Sequence, residues 1–487
     1  MKHALPIVLL ALTCAACVPA PAKRTLPTTQ SVPDRWAAAE SAATGEARAD
    51  WWAGFESPQL DDVVRQALTG NYDLQAAAAR LAQAEAQARI AGAELKPQVS
   101  GSLNGNRSKQ IFIGLPIPGS TPGQPASTTA TTLGLSFGVS WEPDLWGRIR
   151  AGARAAVADF EAAAADLEAA RLSLAAGTAK AYFRVTEATQ QLALAETSAE
   201  SFRRTAEQVR ARYASGVRTA VDLRLALNNL ARAEALIEQR RAELDAQTRN
   251  LETLLGRYPS GALQAATSLP DLPPPVPAGL PADLVARRPD LVAAERRLRA
   301  ADERVVAAKR ALYPSLNLTG STGSTSSELG DLLDGDFSVW SLVAGLTQPI
   351  FQGGRLRANV ALNAAAGEQA VAAYASAVLA AYSEVETSLA AENFLADQEA
   401  HTRESAEQAR AARELSEERY RRGLTGYITV LESQRSALNA ETELLSIRRR
   451  RLENRIDLHL ALGGGFAASP ASPPLQTAQA VKKDPAS

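Results

Sequence analysis

The residue types that most often carry catalysis or bind metals are scarce in this chain of 487 residues. Its histidines are His3, His401 and His459, and its cysteines are Cys14 and Cys17. None of them is spaced with other ligand residues as in a zinc site, and the sequence contains no phosphate-binding loop and no nucleophile elbow. We therefore expect a protein that is not an enzyme and that uses no metal and no cofactor.

Cys17 is a candidate for covalent modification, because it directly follows a predicted secretory signal. The first 17 residues comprise a basic start, an apolar stretch from Ala4 to Leu12 and small residues before the cysteine, and they are too short to span a bilayer. Ala15-Ala16-Cys17 resembles a bacterial lipobox, in which the cysteine becomes the acylated first residue of the mature chain. We predict lipidation at Cys17 rather than at Cys14; an ordinary signal with two incidental cysteines is the alternative.

Charge argues against nucleic acid as the partner. The chain has 52 Lys and Arg residues against 53 Asp and Glu residues, which gives a net charge of −1. A nucleic-acid-binding surface is basic because it must neutralise phosphates, and no long basic run is present. Hydrophobic residues reach 46% while aromatic residues are only 5%, and much of the apolar count is alanine. Small apolar side chains favour close helix packing over a bulky core.

The chain contains two copies of one unit. Asp73-Leu74, Arg80-Leu81, Leu95 and Pro97 recur 217 positions later, at Asp290-Leu291, Arg297-Leu298, Leu312 and Pro314. Gly147-Arg148, Arg212-Tyr213 and Gly216 recur 207 positions later, at Gly354-Arg355, Arg419-Tyr420 and Gly423. A constant offset over such distances indicates an internal duplication. The offset falls from 217 to 207 between Pro97 and Gly147, so the first copy has ten extra residues in this stretch. We place them in a solvent loop at 113–129.

Each copy predicts a helix and then a long helical hairpin. Helical periodicity covers Leu60 to Leu95 and Leu291 to Leu312. Gly147 to Tyr213 and Gly354 to Tyr420 contain no proline, and 67 residues make a helix of about 100 Å. Glycine turns follow, at Gly216 and Gly423, and returning helices run to about Leu255 and Leu462. Hairpins of this length must pack laterally against neighbours, as in a coiled coil.

Strand-like alternation occurs only between the matched prolines and the long helices. Bulky apolar residues alternate with small or polar ones in the first copy, at Leu133, Leu135, Phe137, Val139 and Trp141. The second copy has the same parity, at Trp340, Leu342, Ala344 and Leu346. Weaker strands are expected at Val99 to Asn106 and Leu316 to Gly323. Alone, such a strand would favour a soluble sandwich, but in an exported chain of long helices it favours a lipid-facing sheet.

Four spaced motifs resemble those of TolC-like outer-membrane efflux proteins, and most closely the lipoprotein branch that serves resistance-nodulation-division pumps. They are Trp51-Trp52 with Phe55, Ser140 to Arg148, Leu280-Pro281 through Arg288-Pro289-Asp290, and Pro349 to Arg355. The resemblance runs from about Trp51 to Gly465. It implies a homotrimer in which each chain gives four strands to a 12-stranded transmembrane β-barrel and in which the helices form a 12-helix periplasmic tunnel. Four strands alone cannot close around a lumen.

The resemblance also implies partners and site residues. The hairpin tips, with Tyr213, Gly216, Tyr420 and Gly423, would contact a periplasmic adaptor (membrane fusion) protein, which joins the channel to the inner-membrane pump. Ile428, Glu432 and Arg435 would line the closed periplasmic mouth, where three copies of Ile428 would form an apolar constriction and three copies of Glu432 an acidic ring that favours cations. They are spaced by four and three residues and so share one helix face. Alternatively, Thr429 and Glu432 form a capping box at a helix start.

Other motif residues are expected to have structural roles at element junctions. Trp141 and Trp146 would anchor at the membrane interface. Glu142, Asp144 and Arg148 would pair where strand becomes helix. Arg288-Pro289-Asp290 would start a helix, because proline suits the first turn and an acid suits the positive end.

The sequence thus predicts six segments: a signal peptide (1–16), a lipidated leader (17–50), a first repeat (51–257), a Pro-rich linker (258–281), a second repeat (282–465) and a disordered tail (466–487). The expected function is a passive outer-membrane duct for small molecules, in contact with outer-membrane lipid. Three alternatives stay open: an outlet for type I protein secretion, an envelope spacer lipoprotein without a pore, and an envelope-bound hydrolase.

Overall fold

The computed structural model describes residues 33–38, 50–112, 126–279 and 281–465. In these ranges the chain is mainly helical with four strands in one sheet, as predicted. It divides into two compact units, of which the first contains Ala82–Glu161 and Arg296–Ala373 and the second contains the other described segments. Each unit therefore draws on both sequence copies. Cys17, most of the predicted loop at 113–129 and the predicted tail at 466–487 lie outside the described residues.

Eight α-helices are present in the described ranges. They are α1 (Pro58–Gly70), α2 (Tyr72–Ala93), α3 (Arg148–Ala214), α4 (Ala220–Leu254), α5 (Leu284–Arg287), α6 (Pro289–Arg310), α7 (Arg355–Arg421) and α8 (Tyr427–Ala461). Short 3₁₀ turns cover Trp51–Phe55, Pro281–Asp283, Gly330–Leu333 and Gly335–Phe337. The two long helices, α3 and α7, have 67 residues each, as predicted. No helix among these residues combines the length and apolar composition needed to cross a membrane.

The single helix predicted from Leu60 to Leu95 is two helices, α1 and α2, which meet at Asn71. The backbone amide of Asn71 closes the last turn of α1 on Ala67, and its side-chain oxygen accepts a 3.0 Å hydrogen bond from the amide of Leu74. One asparagine therefore caps both helices. Asparagine is favoured at a helix start because it satisfies a free amide group there, and periodicity alone does not report such a break.

The long helices pack with a coiled-coil period. In α3 the buried positions Ala195, Ala199, Phe202, Ala206 and Val209 are spaced alternately by four and three residues. This is the seven-residue repeat of a left-handed coiled coil. In the second unit the part of this stripe from Ala199 to Val209 joins Ala226, Tyr420, Tyr427 and Val430 in one apolar cluster. The alanine content predicted close helix packing, and the small side chains in this stripe agree with it.

The sheet has four antiparallel strands in the order in which they occur in the chain. They are β1 (Gln98–Phe112), β2 (Ala126–Trp141), β3 (Ser315–Ser326) and β4 (Ser338–Thr347). The register pairs Leu103 with Leu135 between β1 and β2, and Leu318 with Ala344 between β3 and β4. β1 and β4 each have one unpaired edge in the single chain, because each lies at an end of the sheet.

Candidate functional site

One face of the sheet is apolar across all four strands. Residues directly opposite in antiparallel strands project to the same side, so the register assigns the predicted lipid-facing residues to a single face: Leu133, Leu135, Phe137, Val139, Trp141, Trp340, Leu342 and Leu346. Val99, Leu103, Leu316 and Leu318 join them. Trp340 and Leu342 are 81% and 78% exposed in the single chain. A large exposed apolar face requires an apolar environment or a partner.

The opposite face of the sheet is mostly small and polar. Ser102 and Ser136 share a 2.9 Å hydrogen bond across β1 and β2, and Ser321 and Ser341 share one of 2.8 Å across β3 and β4. Phe112 of β1 and Val339 and Val343 of β4 are the larger apolar residues that the register places on this side. An apolar face and a polar, uncharged face in one sheet are typical of a structure with lipid on one side and water on the other.

The junction from β2 to α3 is stabilised by the predicted acidic and basic residues, but with one different pairing. Arg148 pairs with Glu142 at 2.9 Å, as expected. Asp144 pairs with Arg150 rather than with Arg148, and it also accepts hydrogen bonds from the backbone amides of Ile149 and Arg150. Burial opposes ionisation of Asp144, but these hydrogen bonds outweigh it and lower its pKa. Asp144 therefore stabilises the positive end of α3.

The two tryptophans of this junction are tied to neighbouring turns. The Trp141 indole donates to the carbonyl of Leu95 at 3.1 Å, and the Trp146 indole donates to the carbonyl of Pro314 at 2.7 Å. Trp146 also stacks on Tyr313. In the second unit, Pro289 begins α6 as predicted, and Arg288 pairs with Asp290 at 2.8 Å.

The hairpin tips have the glycine conformation that the sequence predicts. Gly216 and Gly423 have φ values of 76° and 79°, in the left-handed region. The amide of Gly216 donates to the carbonyl of Tyr213, and the next amide donates to that of Arg212, with the same pattern after Gly423. This is the Schellman motif, in which glycine satisfies the last carbonyls of a helix.

Tyr420 was expected to contact an adaptor, and the structure corrects this. Its side chain is 1% exposed and packs in the apolar cluster of the second unit, against Tyr427. The guanidinium groups of Arg212 and Arg218 lie 4.4 and 5.5 Å from its ring centre. Tyr213, the equivalent residue of the first copy, is 44% exposed. The two tips are therefore not equivalent: Arg212 and Arg218 of the first tip cover Tyr420 of the second, whereas Tyr213 is exposed.

Ile428, Glu432 and Arg435 are all exposed on one face of α8. Neither charged residue is hydrogen-bonded or ion-paired to another described residue, so both remain available to solvent or to a partner. Glu432 and Arg435 line a groove of about 700 Å³ between α7 and α8, together with His401 and Glu443. This groove lies entirely within the second unit.

The capping-box alternative for Thr429 and Glu432 is wrong. α8 begins at Tyr427, its N-cap is Gly426, and no side chain caps it. Thr429 is thus already the third residue of the helix. In the first copy Thr219 is the N-cap of α4 and accepts a 3.2 Å hydrogen bond from the amide of Asp222. Gly426 is the residue equivalent to Thr219, so the second copy has lost this cap.

Sequence reasoning missed a buried polar cluster on the opposite side of α8. The side-chain nitrogen of Gln434, which is 3% exposed, lies 2.9 Å from the hydroxyls of Ser201 and Thr205 and 3.0 Å from the Glu417 carboxylate. The side-chain oxygen of Gln434 is buried and accepts no hydrogen bond from any described residue. Ser201 and Thr205 each come directly before a position of the apolar period of α3, at Phe202 and Ala206, and this repeated placement of small polar residues was the available signal.

His459 has a buried aromatic partner that the sequence did not indicate. It stacks on Trp51, with ring centres 5.3 Å apart. Burial, reinforced by the positive charge of Arg455, lowers the pKa of His459 to about 4. The imidazole is therefore neutral at physiological pH. Among the described residues, no group of three or more His, Cys, Asp and Glu side chains is arranged to hold a metal ion.

The linker between the copies is held at several points in the second unit. The carboxylate of Glu252 accepts hydrogen bonds from the backbone amides of residues 261 to 263, at 2.7 to 3.1 Å. Arg455, which is buried, donates to the carbonyls of Pro273 and Pro274. Near the end of the linker, the Trp36 indole donates to the carbonyls of Ala278 and Gly279. The predicted extended linker is thus a fixed part of this unit.

Comparisons with known proteins agree with this arrangement. The profile of the family "Outer membrane efflux protein" matches residues 63–257 and 280–464. The pyoverdine export outer membrane protein OpmQ of Pseudomonas putida is 34% identical over 424 residues, which cover 86% of this chain and 88% of that protein. The outer membrane protein OprJ of Pseudomonas aeruginosa is 33% identical over 472 residues, 94% of this chain and 95% of that protein.

Solved structures show the same fold. The outer membrane channel CmeC of Campylobacter jejuni superposes with a TM-score of 0.83 at 26% identity, over 88% of this chain and 91% of that one. The chain belongs to the outer membrane efflux protein family, whose members are transport proteins. The predicted family, efflux function and outer-membrane location are thereby confirmed.

Proposed function

We propose that this chain is the outer-membrane channel of a tripartite efflux system and acts as a passive homotrimeric duct. The observation that carries this proposal is the sheet, which has one apolar face and an unpaired edge at both ends. An open sheet edge in lipid leaves backbone groups unsatisfied, so the sheet must close. Three chains would supply twelve strands to a barrel, and their long helices would supply a twelve-helix periplasmic tunnel.

Particle mass and conductance test the duct together. Protein extracted from outer membranes should contain three chains per particle once bound detergent is subtracted. The same particle should form water-filled channels in a planar bilayer. A monomer without conductance would reject the duct and favour the spacer lipoprotein.

Within this duct, Ile428, Glu432 and Arg435 would line the periplasmic mouth. Their exposure on one face of α8 supports this role, as does the absence of ion-pair partners for the two charged residues among the described residues. Three copies of Ile428 would form an apolar constriction, and three copies of Glu432 and of Arg435 would form adjacent rings of opposite charge. The Glu432 ring would favour cations and the Arg435 ring would partly offset it, so we expect only a weak preference for cations.

The exposed parts of the hairpin tips would receive a periplasmic adaptor protein. Tyr213, Val217 and Leu424 are 44%, 69% and 63% exposed and lie at the two Schellman turns of Gly216 and Gly423. Apolar side chains at an exposed tip suit a protein partner. The adaptor would join the duct to an inner-membrane resistance-nodulation-division pump, which supplies the energy.

The cargo would be small molecules, such as drugs or other toxic compounds. The name of the relative OpmQ refers to pyoverdine export, and that of TtgF to toluene efflux. Deletion of the gene should lower the growth-inhibitory concentration of such compounds, and the plasmid-borne gene should restore it. Unchanged tolerance together with loss of a secreted protein would favour the type I secretion outlet.

Acylation of Cys17 would add a lipid anchor to the inserted sheet. Several acyl chains on one cysteine, such as palmitate, anchor a protein in a membrane far more stably than one chain does. The intact mass of the mature protein should exceed that of the residues from 17 onward by the lipid, and Cys17→Ala with an exportable signal should remove this excess. Complete loss of the trimer in that variant would show that acylation is essential for assembly.

A further inference from the structure

The described strands are nearly devoid of charge. Among their residues only Arg107 and Lys109 are ionisable acids or bases, and both are cations on β1. Both side chains are exposed, and neither makes a hydrogen bond or an ion pair with a described residue. Two like charges two positions apart on a strand lie about 7 Å apart and repel each other. This arrangement is favourable when an anion binds between them.

The register places both cations on the apolar face of the sheet rather than on the polar one. Arg107 is opposite Thr131 and Lys109 is opposite Thr129 on β2. They have the same parity as Val99 and Leu103, and therefore the same side. The polar face, where charge would be easily solvated, has no charged side chain among the described strand residues.

The cations also lie just beyond the continuous apolar part of this face, and Ile111 is the one apolar residue that follows them on this side of β1. On β2 that face extends from Trp141 to Leu133, about 26 Å along the strand, which is close to the apolar band of outer-membrane proteins. Leu133 is opposite Gly105, and Arg107 is the next residue of β1 on this side. At the other end of the sheet, β1 and β2 connect to α2 and α3. The cations are thus at the end of the sheet away from the helices.

We propose that Arg107 and Lys109 bind the phosphate groups of the glycolipid that forms the outer leaflet, the lipid A part of lipopolysaccharide. The proposal rests on the proposed function, which puts the apolar face in the bilayer and the helices in the periplasm. The cations then lie at the level of the outer-leaflet headgroups. Arg and Lys form strong charge-assisted hydrogen bonds with phosphate oxygens. Phospholipid headgroups of the inner leaflet would lie at the opposite end of the sheet.

The test measures lipid binding to the detergent-purified trimer by native mass spectrometry. The probes are bisphosphorylated lipid A, the same lipid without its phosphates, and phosphatidylglycerol. The double variant R107Q/K109Q should bind bisphosphorylated lipid A at least about tenfold more weakly than the wild type, because charge-assisted bonds are lost. Lys96→Gln is the matched control, since Lys96 is an exposed cation between α2 and β1, at the helical end of the sheet.

Several outcomes would overturn the lipid site. Equal binding of lipid A by the wild type and the double variant would do so, as would equal binding of the dephosphorylated lipid. Loss of trimer stability in R107Q/K109Q without any lipid would mean that the cations pair with acidic groups of a neighbouring chain instead. Conductance in bilayers made only of phospholipid tests the duct separately. If the wild type conducts there and R107Q/K109Q binds lipid A as well as the wild type does, the lipid site is rejected and the duct is retained.

Discussion

The guanidinium group of Arg212 lies 4.4 Å from the ring centre of Tyr420 and donates a 2.7 Å hydrogen bond to the backbone carbonyl of the same residue. It also donates to the carbonyl of Arg421. One side chain of the first hairpin thereby satisfies the last turn of the long helix of the second. The end of α7, and with it the start of α8, is held by the neighbouring tip.

Arg212→Gln should loosen the second tip. The variant loses a cation–π contact and two charged hydrogen bonds, which together cost about 1–3 kcal/mol of local stability. We expect faster amide exchange in residues 419–427 and a higher open probability of the single channel. The control is Arg210→Gln, because Arg210 is exposed and has no partner among the described residues. Equal exchange in both variants would show that Arg212 does not hold the tip.

Glu432→Ala should make the open channel more permeable to anions relative to cations. Removal of an acidic ring leaves the Arg435 ring without its counter-charge at the proposed mouth. The measurement is the reversal potential in asymmetric salt. Glu238→Ala, on the exposed surface of α4, serves as the control. Because the capping box is already excluded by the N-cap at Gly426, an unchanged reversal potential would remove Glu432 from the conducting path.

Gln434→Glu should destabilise the helices around the proposed mouth at neutral pH. The new carboxylate would lie about 3 Å from that of Glu417, and two buried carboxylates so close cannot both ionise. We expect a loss of about 3 kcal/mol at pH 7. The loss should diminish as the pH falls and the pair takes up a proton.

The matched control for this variant is Gln408→Glu. Gln408 also donates to a carboxylate, that of Glu404 at 2.8 Å, but on an exposed helix face. Solvent screening should make its effect small. Thermal stability of the assembled protein, followed across pH 4 to 8, separates the two variants. A Gln434→Glu profile parallel to that of the control would contradict the buried cluster.

His459 should make the protein less stable in mild acid. Its folded pKa of about 4 lies below the ordinary value of 6.5, so the folded state disfavours the proton that the unfolded state accepts. The contribution of neutral His459 to the free energy of unfolding is complete above pH 6.5. It decreases by about 3 kcal/mol as the pH falls toward 4. His459→Gln should flatten this decline in denaturant titrations, while His401→Gln, at an exposed site, should not. Parallel profiles would refute the assignment.

Gly216→Ala and Gly423→Ala should each destabilise a hairpin tip by about 1 kcal/mol, because an L side chain is strained at φ near 76° and 79°. Gly177→Ala is the counter-example in a helix interior, where a Cβ would meet nothing in the chain. It should stabilise α3 by about 0.5–1 kcal/mol. Thermal melting of the assembled protein measures both the destabilisation at the tips and the stabilisation of α3. Destabilisation by Gly177→Ala would reveal a neighbouring chain packed at that position.

The elements were predictable where one strong rule acts locally. The 67-residue helices follow from the lack of proline, the turns from Gly216 and Gly423, and the parity of β2 and β4 from alternation in both copies. The side-chain environments were not predictable, because they depend on residues far apart in the chain. Tyr420 is buried in a cluster that includes Tyr427 and lies beneath Arg212, whereas its sequence equivalent Tyr213 is exposed.

The same limit applies to capping and burial. Thr429 and Glu432 have the spacing of a capping box, yet the helix starts two residues earlier. His459 follows the charged residues Arg455 and Asp457 in sequence and is nevertheless stacked on Trp51, which is 408 positions away. In both cases long-range packing overrides a local pattern that is only a few residues long.

The linker between the copies has a mechanical consequence. It is held by Glu252 near its start, by Arg455 at its prolines and by Trp36 at its end. A connection fixed at three places cannot lengthen or slide when the helices beside it move. Because Glu252 is on α4 and Arg455 is on α8, the linker fixes both returning helices near their carboxyl ends. Any displacement at the hairpin tips must therefore be accommodated by the parts of these helices between the tips and the linker.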